Sequence, residues 1–141
     1  MKIVTDSIDL INLWARQGHL DSIDIEIMIL RVHWDLSDFV SKDLIEHYLK
    51  LKIIRFIDTN EIPYSRVFEL GMKFKGIHPN NCTLLEFCLA NRFILITNDP
   101  ALLLACTQLK HPSYDSQTFG RQLYHLQRIP IYKNSNDSKT K

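Results

Sequence analysis

Short apolar runs alternate along the chain with segments of helical periodicity, and this alternation limits the fold more than any other feature. The runs at 3–5, 52–57 and 93–97 are rich in β-branched or aromatic residues, which is typical of strands. A segment in which apolar residues recur every three or four positions follows each run. Strands joined through helices form right-handed crossovers, which place helices on both faces of a parallel sheet. The sequence therefore predicts an α/β fold, a three-layer α/β/α sandwich with a parallel central sheet.

The same patterns predict the remaining elements and their ends. Ser37 or Asp38 is expected to cap one helix, and Asn80 or Asn81 another, because short polar side chains accept hydrogen bonds from the first helical N–H groups. Helices are predicted at 10–14, 25–29, 39–48, 64–75, 84–90, 101–109 and 118–126, and further strands near 32–36 and 129–132.

Length and charge restrict the organisation of the chain. Its 141 residues are the usual size of one domain, predicted at 1–133, and the wholly polar segment 134–141 is expected to be a disordered tail. The 17 Lys and Arg residues nearly balance the 16 Asp and Glu residues, a net charge of +1. Since the chain has no strong overall positive charge, a nucleic acid would have to be recognised at a local site.

The three cysteines, Cys82, Cys88 and Cys106, have no metal-binding or redox spacing. They are expected to be buried apolar residues in a reducing compartment. The first apolar run is too short for a signal peptide, and no segment approaches the roughly 18 apolar residues of a membrane span. A cytoplasmic location without a membrane partner is the expectation.

Two predicted strands lead into aspartates, Asp6 and Asp99. Ligands of open parallel sheets bind beyond the carboxyl ends of the strands, so both carboxylates are expected to face one crevice. A divalent cation would neutralise them, and Mg²⁺ held in this way keeps positions for water and phosphate oxygens. Phosphodiester chemistry is one interpretation. The other is that each Asp caps the helix that follows it.

Four segments together resemble the PIN-domain family of metal-dependent ribonucleases. The chain opens with Ile-Val-Thr-Asp-Ser-Ile-Asp-Leu-Ile-Asn-Leu at 3–13, which resembles the start of these domains. Residues 37–44 are similar to the family segment in which an acidic residue and Leu follow Val. Residues 77–90 and 93–102, the latter containing Ile-Thr-Asn-Asp-Pro, are similar to its C-terminal half. The resemblance covers about residues 1–109.

The resemblance implies a site residue by residue. Asp6, Asp43 and Asp99 take the places of catalytic carboxylates that hold one or two Mg²⁺ or Mn²⁺ ions. Asn81 stands where a further Asp is expected, and it retains an oxygen but loses a charge. Thr97 and Ser7 are the neighbouring hydroxyl residues. Two other departures concern Asp43, which is shorter than the usual Glu, and Ile8, which replaces a small polar residue.

The activity implied by the resemblance is endonucleolytic hydrolysis of single-stranded RNA by metal-activated water. The expected partners are RNA, an antitoxin protein if the chain is a toxin, and a second copy in a homodimer. One alternative is a catalytically impaired PIN-like domain that binds RNA or a protein. Another is an unrelated α/β interaction domain in which Asp6 and Asp99 are helix caps.

Other polar residues are expected to be structural. Glu86 lies five positions after Asn81, about 140° around a helix, and is predicted to face solvent. Asp9 is expected to be solvated or to cap a helix. The histidines, His33 among them, show no repeated spacing and predict no metal site.

Overall fold

The computed structural model describes residues 1–128, so the strand predicted at 129–132 and the tail predicted at 134–141 lie outside the described residues. The elements within residues 1–128 are β1 (Lys2–Thr5), α1 (Ile8–Arg16), α2 (His19–Ser22), β2 (Glu26–Ile29), α3 (Arg31–Leu36), α4 (Phe39–Lys50), β3 (Ile54–Phe56), a 3-10 turn (Thr59–Glu61), α5 (Tyr64–Lys73), α6 (Pro79–Asn91), β4 (Ile94–Ile96), α7 (Pro100–Gln108), β5 (Ser113–Tyr114) and α8 (Ser116–Leu126).

The five strands form one parallel sheet in the order β3-β2-β1-β4-β5. Ile3 in β1 lies opposite Ile27 in β2 and Ile94 in β4. From β1 the chain adds β2 and β3 on one side, and it then adds β4 and β5 on the other. The order of the strands therefore reverses between β1 and β4, the point at which α/β proteins commonly bind ligands.

Helices cover both faces of the sheet, which confirms the predicted three-layer architecture. Successive strand residues point to opposite faces, so Ile3 and Val4 belong to different cores. In the first core Trp14 of α1 meets Phe119 of α8 edge to face, with ring centroids 5.5 Å apart. The second core receives Leu70 of α5 together with side chains of α6 and α7.

Two adjacent element assignments from the sequence are wrong. Residues 25–29, predicted as a helix, contain β2, and residues 32–36, predicted as a strand, lie in α3. The β-branched Ile27 and Ile29 are completely buried in the sheet, and β-branched residues favour strands. Leu36 is 77% exposed, so the apolar alternation in this segment does not represent a buried strand face.

Helix starts and one helix face also differ from the predictions. Asp38, one of the two predicted candidates, caps α4 by accepting a 2.7 Å hydrogen bond from the Ser41 N–H group. The cap of α6 is His78 rather than Asn80 or Asn81. Glu86, predicted to face solvent, is buried because α6 packs against α5, α7 and β4 and keeps little free surface.

The three cysteines are free and buried, as predicted. Burial raises the pKa of each thiol, so these side chains serve as apolar packing residues. None of the helices within residues 1–128 combines the length and the apolar character needed to cross a membrane.

Candidate functional site

Asp6 and Thr97 join the ends of β1 and β4 where the strand order reverses. The buried Thr97 hydroxyl donates a 2.9 Å hydrogen bond to Asp6 Oδ2 and accepts a 3.1 Å bond from the Asp99 N–H group. Burial raises the pKa of Asp6, and the negative charge of Asp99 raises it further, against the opposing effect of the Thr97 hydrogen bond. The two predicted carboxylates therefore lie within electrostatic reach of one another at the carboxyl ends of the strands. We call the region around Asp6, Thr97 and Asp99, between the ends of β1 and β4, the crevice.

Asp99 and Asp6 have different local roles. Asp99 caps α7, since its Oδ1 accepts a 3.0 Å hydrogen bond from the Ala101 N–H group. Asp6 does not cap α1, because Ser7 does so through its Oγ, which accepts a 3.2 Å bond from the Leu10 N–H group. The helix-cap interpretation is thus confirmed for Asp99 and wrong for Asp6, because Ser7 caps α1 in its place.

Asn81 reaches the crevice from the first turn of α6. Its Nδ2 donates a 3.2 Å hydrogen bond to Asp99 Oδ2, which leaves its Oδ1 directed away from that carboxylate. A carboxylate at position 81 would repel Asp99, whereas the amide forms an attractive contact. The amide of Asn81 therefore stabilises the site in the absence of a cation.

His33 is a residue of this crevice that the sequence did not predict. It lies in α3, and burial lowers the pKa of its ring, as does the neighbouring His78, while Asp6 and Asn81 act in the opposite direction. The misassigned strand at 32–36 concealed this position. The position of His33 could have been predicted from its closeness in sequence to the end of β2. Because β2 pairs with β1, a residue just after β2 lies near the end of β1 and therefore near Asp6.

Three buried side-chain atoms within residues 1–128 lack a hydrogen-bond partner, namely Asp6 Oδ1, His33 Nδ1 and Asn81 Oδ1. All three belong to this crevice. Buried polar atoms are nearly always paired, so three unpaired polar atoms at one place suggest water or an ion. The Asn81 amide raises the pKa of the His33 ring, but no hydrogen bond of good geometry joins the two side chains. The buried charge of Asp6 makes a cation a chemically suitable ligand, because it would compensate the cost of burying a carboxylate.

The structure does not bring Asp43 into this group. Asp43 is exposed on α4, and it is not a partner of Asp6, Asn81 or Asp99. In the part of the chain that the structure describes, no three His, Cys, Asp or Glu side chains form a group that could hold a metal ion. The role of Asp43 as a ligand stays a prediction.

A groove of about 730 Å³ lies beside the crevice. Val32 and Asn80, the sequence neighbours of His33 and Asn81, belong to its wall. The Arg31 guanidinium group lies 4.0 Å from the centre of the Phe56 ring in the same wall. Tyr64, at the start of α5, is 90% exposed and also lines the groove. The wall of the groove thus contains the positively charged side chain of Arg31 and the exposed aromatic ring of Tyr64.

The chain matches no protein-family model and no curated protein sequence. Its fold is similar to that of PAE2754 from Pyrobaculum aerophilum, known from a crystal structure, with a TM-score of 0.61 and 16% sequence identity. The similarity covers 89% of this chain and 96% of that chain. At this identity the likeness concerns the fold alone, and the resemblance to PIN domains remains a prediction.

Proposed function

We propose that the chain is a metal-dependent endonuclease for single-stranded RNA, of the PIN type, acting at the crevice between β1 and β4. The observation that carries the proposal is the set of unpaired buried polar atoms, Asp6 Oδ1, His33 Nδ1 and Asn81 Oδ1, at the point where the strand order reverses. Leaving a buried acceptor unpaired costs about 1–3 kcal/mol, which favours a site built for a ligand.

The residues of the crevice would have different roles in binding Mg²⁺ or Mn²⁺. Asp6 Oδ1 and Asn81 Oδ1 are free oxygen donors. Asp99 adds negative charge and orients Asn81, and Thr97 orients Asp6. Asp43 would be a further ligand if the family resemblance holds. A bound divalent cation lowers the pKa of a water molecule and stabilises charge on phosphoryl oxygens.

The groove beside the crevice suits a single strand of RNA. Arg31 can contact a phosphate, because guanidinium groups match phosphate oxygens. The exposed ring of Tyr64 can stack on a base, the usual way in which proteins bind unpaired nucleotides. The small net charge of the chain is compatible with this local recognition.

A catalytically impaired PIN-like domain is the second candidate, and two observations favour it. Asn81 stands where the resemblance implies a carboxylate, and Asp43 lies outside the hydrogen-bonded group. Such a domain would bind RNA or a protein without cleavage. The exposed apolar residues Leu36, Phe39 and Val40 support a protein contact, either an antitoxin or a second copy of the chain. A cytoplasmic location belongs to both candidates.

The test is cleavage of a mixed single-stranded RNA pool in Mg²⁺ or Mn²⁺ by the wild type, Asp6→Asn and Asp99→Asn. Asn also caps helices, so Asp99→Asn keeps the start of α7. Asp24→Asn is the matched control, because Asp24 is exposed and precedes β2 at the other edge of the sheet.

We expect wild type and Asp24→Asn to cleave RNA until the metal is chelated, and the two site variants to lose at least about tenfold in rate. Cleavage that survives both Asp6→Asn and Asp99→Asn would refute the site. Metal that raises the Tm of the wild type without any cleavage would favour the impaired domain.

A further inference from the structure

We infer that His33 is a nitrogen ligand of the cation in this crevice, so that the site prefers Mn²⁺ and other first-row transition ions to Mg²⁺. The inference rests on the proposed function in one respect, namely that a cation binds beside Asp6. It adds a ligand and a metal preference that the carboxylates alone do not imply.

The chain topology brings His33 to the crevice. The helix α3 begins two residues after β2, and β2 is the neighbour of β1 in the sheet, so the carboxyl ends of both strands share one edge. The Nδ1 atom of His33 is buried without a partner. Burial lowers the pKa of the His33 ring, while the charge of Asp6 and the side-chain amide of Asn81 raise it, in agreement with this placement of the ring. No hydrogen bond of good geometry joins the ring to the amide.

The free donors define the chemistry of the site. Each Asp99 oxygen already accepts one hydrogen bond, Oδ1 from the Ala101 N–H group and Oδ2 from Asn81 Nδ2, so only part of its acceptor capacity is left for a cation. The buried atoms without any hydrogen-bond partner are one carboxylate oxygen, one amide oxygen and one imidazole nitrogen. Only two of these belong to His, Cys, Asp or Glu, which agrees with the lack of a three-member group of those types within residues 1–128.

An imidazole donor changes the metal preference. Mg²⁺ favours oxygen ligands, whereas imidazole nitrogen binds the later first-row ions more strongly. Coordination through Nδ1 requires that the proton of the neutral ring sit on Nε2. A site with one imidazole and two oxygen donors leaves further positions of an octahedral ion for water and phosphate oxygens, as a phosphodiester hydrolase needs.

His78 is the other histidine near this site that could provide a nitrogen ligand. It is exposed, and its Nδ1 accepts a 3.1 Å hydrogen bond from the Asn80 N–H group as the cap of α6. That atom is therefore occupied by a backbone donor, whereas His33 Nδ1 is not. We therefore assign the nitrogen ligand to His33 and not to His78.

Pulsed EPR of the full chain with bound Mn²⁺ tests the inference, since a directly bound imidazole gives a ¹⁴N hyperfine coupling. We expect the coupling in the wild type, in His78→Gln and in His47→Gln, the last a control at an exposed position on α4. We expect no coupling in His33→Gln, together with at least about a tenfold loss of Mn²⁺ affinity and a smaller loss of Mg²⁺ affinity.

The possible outcomes separate the two proposals. Bound Mn²⁺ without ¹⁴N coupling in the wild type would overturn the role of His33 and leave the proposed nuclease intact. Coupling that persists in His33→Gln would do the same. If the wild type binds no Mn²⁺, the proposed function fails as well. Labelling histidine with ¹⁵N in the wild type shows whether any histidine binds the ion. If His33→Gln unfolds, this result decides the role of His33 together with the coupling in His78→Gln, because loss of the coupling in His78→Gln would assign it to His78 instead.

Discussion

The hydroxyl group of Thr97 donates a 2.9 Å hydrogen bond to Asp6 Oδ2 and so links the end of β4 to the end of β1. The same oxygen accepts the N–H group of Asp99. One buried side chain thereby holds the carboxylate of Asp6 and the backbone of Asp99, the two residues that the sequence places at strand ends. The relative position of Asp6 and Asp99 therefore depends on the Thr97 hydroxyl group.

Thr97→Val should destabilise the fold and weaken metal binding. Valine matches threonine in shape but leaves Asp6 Oδ2 and the Asp99 N–H group without their partner, which costs about 1–3 kcal/mol in the free energy of unfolding. Urea denaturation measures the loss. Thr97→Ser is the matched control and should retain most of the stability, and equal losses in both variants would contradict the role of the hydroxyl.

Asn81→Asp should lower the stability of the metal-free protein and raise its affinity for metal. Without metal, the new carboxylate repels Asp99 in place of the present 3.2 Å hydrogen bond, so the Tm should fall. With Mn²⁺ present, the added charge should raise the affinity and the cleavage rate. Differential scanning fluorimetry with and without Mn²⁺ measures both effects, and a metal-free Tm equal to that of the wild type would contradict the account of Asn81.

Asp6→Asn should stabilise the metal-free protein at neutral pH. Burial raises the pKa of Asp6, so the folded state favours its protonated form, and stability is lost as the pH rises through the folded-state pKa. The variant carries no charge at this position and avoids that loss. Its Tm in EDTA should exceed that of the wild type near pH 7, by about 3 °C for each kcal/mol.

Acidification supplies the check on that prediction. The difference in Tm between Asp6→Asn and the wild type should shrink as the pH falls toward the ordinary aspartate value of 3.8. Asp24→Asn should show no such pH-dependent gain, because its side chain is exposed. A metal-free Asp6→Asn protein that is less stable than the wild type at neutral pH would rule out a buried, uncompensated charge.

His19 should make the fold sensitive to mild acid. Burial lowers the pKa of His19, whose Nδ1 lies 2.8 Å from Gln127 Oε1. The neutral ring is favoured in the folded state, so its stabilising contribution is present above the ordinary value of 6.5 and is lost as the pH falls below it. Urea denaturation at about pH 7.5 and pH 5.5 should show the decrease, and His19→Gln should reduce it; an equal decrease in the variant would assign the effect to other groups.

The strands that could be predicted from the sequence are those that form distinct apolar runs. The runs at 3–5, 52–57 and 93–97 are short, apolar and bounded by polar residues, and each contains a strand. The two-residue strand β5 could not be predicted, because it is held by backbone contacts such as the 3.1 Å bond from the Thr97 N–H group to the Tyr114 carbonyl oxygen. A strand of that length has no periodicity of its own.

The candidate site was predictable in part for a similar reason. Asp6 and Asp99 follow strands directly, so the parallel topology alone places them at one edge. His33 depends on where β2 ends, and the β-branched residues of that strand also fit a helical spacing. The unpaired state of Asn81 Oδ1 depends on a hydrogen bond between residues 18 positions apart, which only the folded structure shows.

Calorimetric titration of Mn²⁺ into the metal-free protein tests most directly whether this crevice holds a cation. We expect the wild type and Asp24→Asn to bind Mn²⁺ with the same affinity, and Asp6→Asn to bind it at least about tenfold more weakly. Binding of Mn²⁺ to Asp6→Asn as tight as to the wild type, or no binding to the wild type, would contradict this expectation.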